Sequence, residues 1–142
     1  MNHMANRSIS FIIYGEPTPK GRPRVTKKGA YTPKKTRVAE KSFQAQALSW
    51  RPSELFKGPL RLHIEFHRSI PKSFSKKKIE GIYAGEIFPT TKPDLDNLVK
   101  LVKDAMNHIF YHDDSQVIEL YAKKIYADVP RIDVKLVEIE GN

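Results

Sequence analysis

Residues 60–67 alternate strictly between apolar and polar side chains, a pattern typical of a β-strand with one buried face. The apolar positions of this strand are Leu60, Leu62, Ile64 and Phe66. Further strands are predicted over residues 8–14, 116–126 and 131–139, each bounded by turn residues. A sheet of about four strands has to bury one face, so the chain also needs helices that cover it.

Two segments have the apolar spacing of helices. Residues 36–50 predict an amphipathic helix that Pro52 terminates. Residues 94–109 predict a second helix, which begins with Asp94 as its N-cap directly after Pro93. The apolar stripes consist of Ala39, Phe43, Ala47 and Trp50 in the first helix and of Leu95, Leu98, Leu101, Val102, Ala105 and Ile109 in the second.

The order of these elements predicts an α+β fold, with one domain over residues 1–142 and a mixed sheet of about four strands packed against two main helices. A short surface helix is expected within residues 71–83, with Ser73 or Ser75 as its cap. Residues 1–7 are expected to be disordered or derived from a vector.

Composition excludes several classes of site. The chain has no cysteine, so disulfides and thiolate metal sites are excluded and a reducing cytoplasm is the expected compartment. No stretch approaches the roughly 18 apolar residues of a membrane span. No glycine pattern matches a nucleotide-binding loop, so neither a membrane nor an organic cofactor is expected. The histidines expected to be solvated surface residues, not metal ligands, are His63, His67, His108 and His112.

The formal net charge of +9 is divided unevenly along the chain. Residues 1–91 contain 18 basic and 6 acidic side chains, whereas residues 92–142 contain 7 basic and 10 acidic ones. The basic half favours a partner with a phosphate backbone. Charge alone leaves two alternatives open, a surface that is basic for solubility and a ribosome-type RNA binder.

A segment dense in proline and glycine, residues 15–35, separates the first strand from the first helix. This composition predicts a long basic loop without regular structure, and long loops in compact domains are either functional or disordered. A disordered linker therefore stays an alternative. The side chains predicted to contact DNA phosphates are Lys20, Arg22, Arg24, Lys27, Lys28, Lys34, Lys35 and Arg37.

Five aspartates occur within residues 92–114 of this basic chain. Carboxylates that lie near one another repel each other unless a cation lies among them. Asp94 and Asp96 occupy the first turn of the predicted second helix, and Asp113 and Asp114 come directly before a strand. Carboxylates and water are the ligands that Mg²⁺ prefers, so the run is a candidate metal site, with Lys100 placed to stabilise negative charge.

Each part of the acidic run also has a purely structural interpretation. Asp94 by itself is a common helix cap, and Asp96 with Lys100 is a common surface ion pair. The Asp113–Asp114 pair by itself is common in turns. Spacing alone leaves the metal site and these structural roles equally open.

The run from residue 92 to residue 107, Lys-Pro-Asp-Leu-Asp-Asn-Leu-Val-Lys-Leu-Val-Lys-Asp-Ala-Met-Asn, resembles the signature of RusA-type Holliday-junction resolvases, as does Asp-Asp-Ser-Gln-Val at residues 113–117. Residues 15–24 and 30–36 resemble the N-terminal region of one branch of that family, so the likeness spans most of the chain. Family members are small homodimeric, magnesium-dependent endonucleases that prophages commonly carry.

The resemblance implies a role for each residue of the acidic run. Asp94, Asp96 and Asp114 match the metal-binding carboxylates, and Lys100 matches the catalytic lysine. Two further matches to acidic positions are expected to be supporting residues: Asp104 to orient a neighbouring group and Asp113 to shape the turn.

The function implied by the resemblance is a homodimeric endodeoxyribonuclease that resolves four-way junctions by paired nicks in DNA recombination and repair. Its expected cofactor is Mg²⁺, for which Mn²⁺ can substitute, and its expected partner is branched DNA. Two alternatives stay open: a metal nuclease of broader branched-DNA preference, and a non-catalytic basic nucleic-acid-binding module whose acids only cap and turn.

Overall fold

The computed structural model describes residues 7–140, apart from the side chain of Arg24. The strands are β1 (Ser8–Tyr14), β2 (Arg24–Thr26), β3 (Gly29–Tyr31), β4 (Leu60–Ser69), β5 (Val117–Ala127) and β6 (Arg131–Glu138). The helices are α1 (Lys34–Ala47), α2 (Lys76–Tyr83) and α3 (Leu95–Met106), and short 3-10 turns occur at Leu48–Trp50 and Asp114–Gln116.

The main sheet has the strand order β1-β6-β4-β5. β6 pairs antiparallel with both β1 and β4, whereas β4 and β5 are parallel. The parallel pair is possible because a long connection, which includes α2 and α3, separates β4 from β5 in the chain. The predicted α+β fold with a mixed four-stranded sheet is thus confirmed.

Helices α1 and α3 share the core with one face of this sheet. Their predicted apolar stripes are buried at Phe43 and Ala47 in α1 and over most of α3. Phe11 of β1 stacks on Phe110 with ring centroids 4.9 Å apart, and it meets Phe43 edge-on at 6.2 Å. The opposite face, which we call the open face, carries the polar positions of β4 and β6, including Glu65, His67 and Asp133.

The expectation of an irregular loop over residues 15–35 is wrong for its second half, where β2 and β3 form a hairpin. Prolines are absent from residues 24–32, so the ladder is not interrupted there. Gly29 adopts a φ of +113°, a backbone conformation that side chains disfavour. The Thr26 hydroxyl accepts a hydrogen bond from the Lys28 amide at 3.2 Å and closes the turn.

The predicted surface helix is α2, which buries none of its residues. Its cap is Ser75, whose hydroxyl accepts a hydrogen bond from the Lys78 amide. Of residues 1–7, for which disorder or a vector origin was expected, residues 1–6 lie outside the described part of the chain, and Arg7 places its guanidinium 4.2 Å from the ring centre of Phe56. No helix within residues 7–140 is long and apolar enough to cross a membrane.

Candidate active site

The first turn of α3 presents Asp94 and Asp96 to solvent. Asp94 occupies the N-cap position with extended backbone angles, yet its side chain makes no capping hydrogen bond. Lys124 of β5 holds the preceding segment by donating hydrogen bonds to the carbonyls of Thr91 and Pro93, both at 2.9 Å. The partial positive charge at the helix start stabilises both carboxylates while leaving their oxygens available.

Lys100 pairs with Asp104, one turn further along α3, at 3.1 Å. In the described part of the chain, Lys100 forms no ion pair with Asp96, although the spacing of these two residues in the helix allows one. Lys20, from the segment before β2, places its ammonium 3.4 Å from the other oxygen of Asp104 and also binds Glu40 of α1. Asp104 is therefore shared by two lysines.

Lys20 connects the basic segment to α3 through its backbone as well. Its amide donates a hydrogen bond to the carbonyl of Asn97 at 2.9 Å. Burial opposes the charge on the ammonium, but the hydrogen bond and charge of Glu40, together with Asp104, outweigh burial and raise the pKa of Lys20. This predicted DNA contact thus has its ammonium engaged by two carboxylates.

The turn before β5 positions Asp113 and Asp114 differently. The Ser115 hydroxyl donates a hydrogen bond to the Asp113 carboxylate and thereby lowers the pKa of that group. Gln116 accepts hydrogen bonds from the amides of His112 and Asp113 at 2.9 and 3.1 Å, which completes a capping box. The half-buried Asp114 carboxylate forms no ion pair or side-chain hydrogen bond with any described residue.

Tyr111, which sequence reasoning missed, connects this turn to α3. Its buried hydroxyl donates a hydrogen bond to the carbonyl of Lys103 at 2.7 Å. Burial, followed by the negative charges of Asp114, Asp104 and Asp113, raises the pKa of the Tyr111 hydroxyl. The carboxylates of Asp104, Asp113 and Asp114 are therefore all close enough to act on the Tyr111 hydroxyl, which stays protonated.

A cavity of about 660 Å³ adjoins Asp94. The basic side chains that line it are Lys20, Arg22, Lys35, Arg68 and Lys92. Sequence reasoning did not assign Arg68 or Lys92 as DNA contacts, although Lys92 begins the acidic motif. Arg68 is held by the carboxylate of Glu16 and the carbonyl of Pro17, both at 3.1 Å. The cavity thus combines two carboxylates, Glu16 and Asp94, with cationic groups that suit phosphate oxygens.

The other predicted DNA contacts belong to the β2–β3 hairpin and to the first turn of α1. Lys27 and Lys28 form the exposed turn between β2 and β3, and Lys34 and Arg37 are exposed in the first turn of α1. Arg24 begins β2, and its side chain is outside the described atoms.

The three predicted metal ligands offer oxygens of the type that Mg²⁺ binds, and none of them is engaged by another described side chain. Within residues 7–140, one group of three acidic or histidine side chains has its ligand atoms within 4.8 Å of one another. This group is Glu65, His67 and Asp133, and it shares no residue with the predicted ligands. The carboxylates of Asp94, Asp96 and Asp114 do not all lie within 4.8 Å of one another. Mg²⁺ commonly uses few carboxylates and keeps several waters.

The expectation that the β4 histidines are solvated is wrong for His67, which is 4% exposed. β4 is a central strand, so side chains from β5 and β6 cover it on both sides. His63 is half-buried and stacks on Tyr121 with ring centroids 4.8 Å apart.

Residues 14–137 match the family model of the RusA endodeoxyribonucleases. The chain belongs to this RusA family. A Bacillus subtilis (strain 168) protein designated YqaN is 41% identical over 139 residues, which cover 94% of this chain and 98% of that protein. The crossover junction endodeoxyribonuclease rusA of Lactococcus phage r1t is 35% identical over 101 residues, 69% of this chain and 70% of the phage enzyme.

The RusA match confirms the family that the acidic motif predicted, and with it the class of enzyme, an endodeoxyribonuclease. The matched residues include the hairpin, α1, α3 and the turn before β5. The cationic cavity beside Asp94 thus lies entirely within the RusA domain.

Proposed function

We propose that this RusA-family protein is a magnesium-dependent, structure-selective endonuclease that resolves four-way DNA junctions by paired nicks. The observation that carries the proposal is the contrast within one acidic segment. Asp94, Asp96 and Asp114 have no partner among the described side chains, whereas Asp104 and Asp113 are engaged by lysines and by Ser115. Unengaged carboxylates on a basic nuclease are suited to hold a metal ion.

In this proposal, Asp94 and Asp96 at the start of α3, together with Asp114, hold Mg²⁺, for which Mn²⁺ can substitute. Bound Mg²⁺ supplies a Lewis acid for the scissile phosphodiester and lowers the pKa of a coordinated water. The unengaged oxygens of the three carboxylates, described above, support this assignment.

Lys100 supplies a positive charge one turn after Asp96 and stabilises the negative charge that develops on the scissile phosphate. Its ammonium is oriented by Asp104, and Asp104 is in turn held by Lys20. Asp104 is therefore a positioning residue in this mechanism, and Asp113 keeps the turn that carries Asp114 in shape.

The cationic cavity beside Asp94 and the Lys27–Lys28 turn bind the phosphate backbone in this proposal. Phosphate contacts position a protein on DNA without reading base sequence, so selectivity for four-way junctions comes from branch geometry. Paired nicks need two identical sites, and a two-fold homodimer supplies them. The junction substrate places the enzyme in DNA recombination and repair, and the name of the phage r1t relative supports this substrate.

The test incubates the protein with an end-labelled four-way junction and with a linear duplex of the same sequence, in Mg²⁺ and in chelator. We expect symmetric nicks in the junction alone, which chelator abolishes. Asp96→Asn and Lys100→Ala should abolish the nicks and keep junction binding. Asp128→Asn, in the turn before β6, and Lys103→Ala, in the last turn of α3, are matched controls that should stay active.

Other outcomes point to the alternative functions. Cleavage that survives Asp96→Asn and Lys100→Ala would overturn the site assignment. Equal cleavage of flaps and four-way junctions would indicate a nuclease of broader branched-DNA preference. Junction binding that needs no Mg²⁺, with no cleavage of any branched DNA, would indicate a binding module.

A further inference from the structure

His67 is a buried imidazole that lies within ion-pair distance of two carboxylates but forms no well-aligned hydrogen bond with a described residue. In register, Ile125 of β5 and Arg131 of β6 flank it on the open face. Neither of its ring nitrogens forms a hydrogen bond with any residue in the described range 7–140. An unsatisfied buried polar group is unfavourable, and one explanation for such a group is an ion that it binds.

Two carboxylates face the same ring nitrogen of His67. Asp133 Oδ2 lies 3.1 Å and Glu65 Oε1 lies 3.5 Å from His67 Nε2. Glu65 and His67 are two residues apart in β4, and Glu65 is directly opposite Asp133 in β6, so all three side chains project from one face. Their ligand atoms lie within 4.8 Å of one another.

The remaining carboxylate oxygens are held by cations at the edge of the group. Arg131 Nε donates a hydrogen bond to Asp133 Oδ1 at 3.1 Å, and Lys123 Nζ lies 3.6 Å from Glu65 Oε2. These contacts orient each carboxylate so that its other oxygen faces His67, as outer partners do in metal sites. The Arg131 guanidinium also offsets the charge of Asp133, so a cation bound by charge alone gains little there.

We infer that Glu65, His67 and Asp133 form a binding site for a transition-metal ion of the Zn²⁺ class. Imidazole nitrogen binds Zn²⁺ well and Mg²⁺ poorly, and Zn²⁺ commonly takes three protein ligands with water in the fourth position. A cavity of about 870 Å³ has Glu65 and Asp133 in its lining, so these two carboxylates are accessible from solvent.

This zinc site is distinct from the candidate active site. Asp96 and Lys100 belong to α3 and Asp94 is its N-cap residue. α3 packs against the covered face of the sheet, whereas the Glu65 group projects from the open face. The ion links β4 to β6, the two strands at the centre of the sheet. Its effect is on stability, because metal that binds the folded chain alone stabilises it by mass action.

The experiment measures thermal unfolding of the full chain and direct calorimetric binding with ZnCl₂, always in excess Mg²⁺. We expect one Zn²⁺ per chain and a rise in Tm of roughly 5 °C or more when Zn²⁺ is about 100-fold above its Kd. Glu65→Gln and Asp133→Asn should weaken Zn²⁺ binding by more than about 100-fold, since even outer partners are worth roughly 10- to 100-fold. Both side chains are partly exposed, so these variants should fold.

His67→Gln should also lose Zn²⁺ binding. His63→Gln, on the same face of the same strand, and Asp96→Asn, in the candidate active site, are matched controls that should keep it. The inference is overturned if Zn²⁺ leaves the Tm of the wild-type chain unchanged. It is equally overturned if Glu65→Gln and Asp133→Asn bind Zn²⁺ as tightly as wild type, or if Asp96→Asn removes the binding.

Discussion

The carboxylates at the start of α3 and those on the open face of the sheet differ in what surrounds them. Asp94 and Asp96 are exposed at a helix start, and no described side chain engages them. Glu65 and Asp133 each contact a cation through one oxygen and His67 through the other. The first group therefore suits a hydrated ion that prefers oxygen ligands, and the second suits an ion that bonds to imidazole.

Removing one charge from each group tests most directly whether the two groups have different roles. Asp94→Asn should lower kcat for junction cleavage by at least about 10²-fold, because metal-assisted stabilisation of the transition state is worth several kcal/mol. Glu65→Gln should leave kcat within about threefold of wild type, as expected for a substitution outside the site. Single-turnover cleavage of a four-way junction measures the rate of each variant. An equal loss of rate in the two variants would contradict the assignment of the two groups to separate sites.

A second prediction compares basic residues beside the two groups. Lys92→Ala removes a cation from the cavity next to Asp94 and should weaken junction binding by roughly fivefold, while the slope of log K against log salt falls by about 1. Lys135→Ala, on the open face, should change neither quantity. Binding titrations across a range of salt concentrations check this, and identical slopes for the two variants would contradict it.

A third, smaller effect concerns stability. Lys20→Met should lower the free energy of unfolding by about 1–2 kcal/mol, because it leaves Glu40 and Asp104 without their shared cation. Lys123→Met should cost little, since Lys123 is more exposed and its pairing with Glu65 is screened by solvent. Urea unfolding of both variants measures the difference.

The pH dependence of the Lys20 contribution has a definite sign. The pKa of Lys20 is raised in the folded chain, so its contribution is fully present below its ordinary value of 10.5 and is lost as pH rises through the folded pKa. The difference between wild type and Lys20→Met should therefore be constant from neutral pH to about pH 9 and shrink above pH 10.5. A difference that already shrinks below pH 9 would contradict this assignment.

The smallest expected effect is at the turn that carries Asp114. Ser115→Ala removes the hydrogen bond that lowers the pKa of Asp113, so that pKa should rise towards its ordinary value of 3.8. The lowered pKa of Asp113 stabilises the fold above pH 3.8, and this contribution disappears as pH falls through the folded pKa. An NMR titration of the Asp113 carboxyl in both proteins measures the shift, and equal values would exclude the hydrogen bond.

Local patterns were sufficient for much of the fold. The alternation over residues 60–67 predicted β4, and the apolar stripe after Asp94 predicted α3, because each pattern depends only on the repeat of its own element. Boundaries were less predictable: α3 ends at Met106 rather than at residue 109, since Asn107 and His108 leave helical angles. Ile109 and Phe110 are buried all the same, in the turn that follows.

The amino-acid sequence by itself determined the α+β class, the acidic segment and the family that its motif indicates. The tertiary structure alone decided that Lys20 meets Asp104, that Arg68 lines the cavity beside Asp94, and that His67 is buried between two carboxylates. The physical reason is that periodicity reports which side of one element is apolar. Which charged groups meet depends on the order of strands in the sheet and on the path of the chain between them.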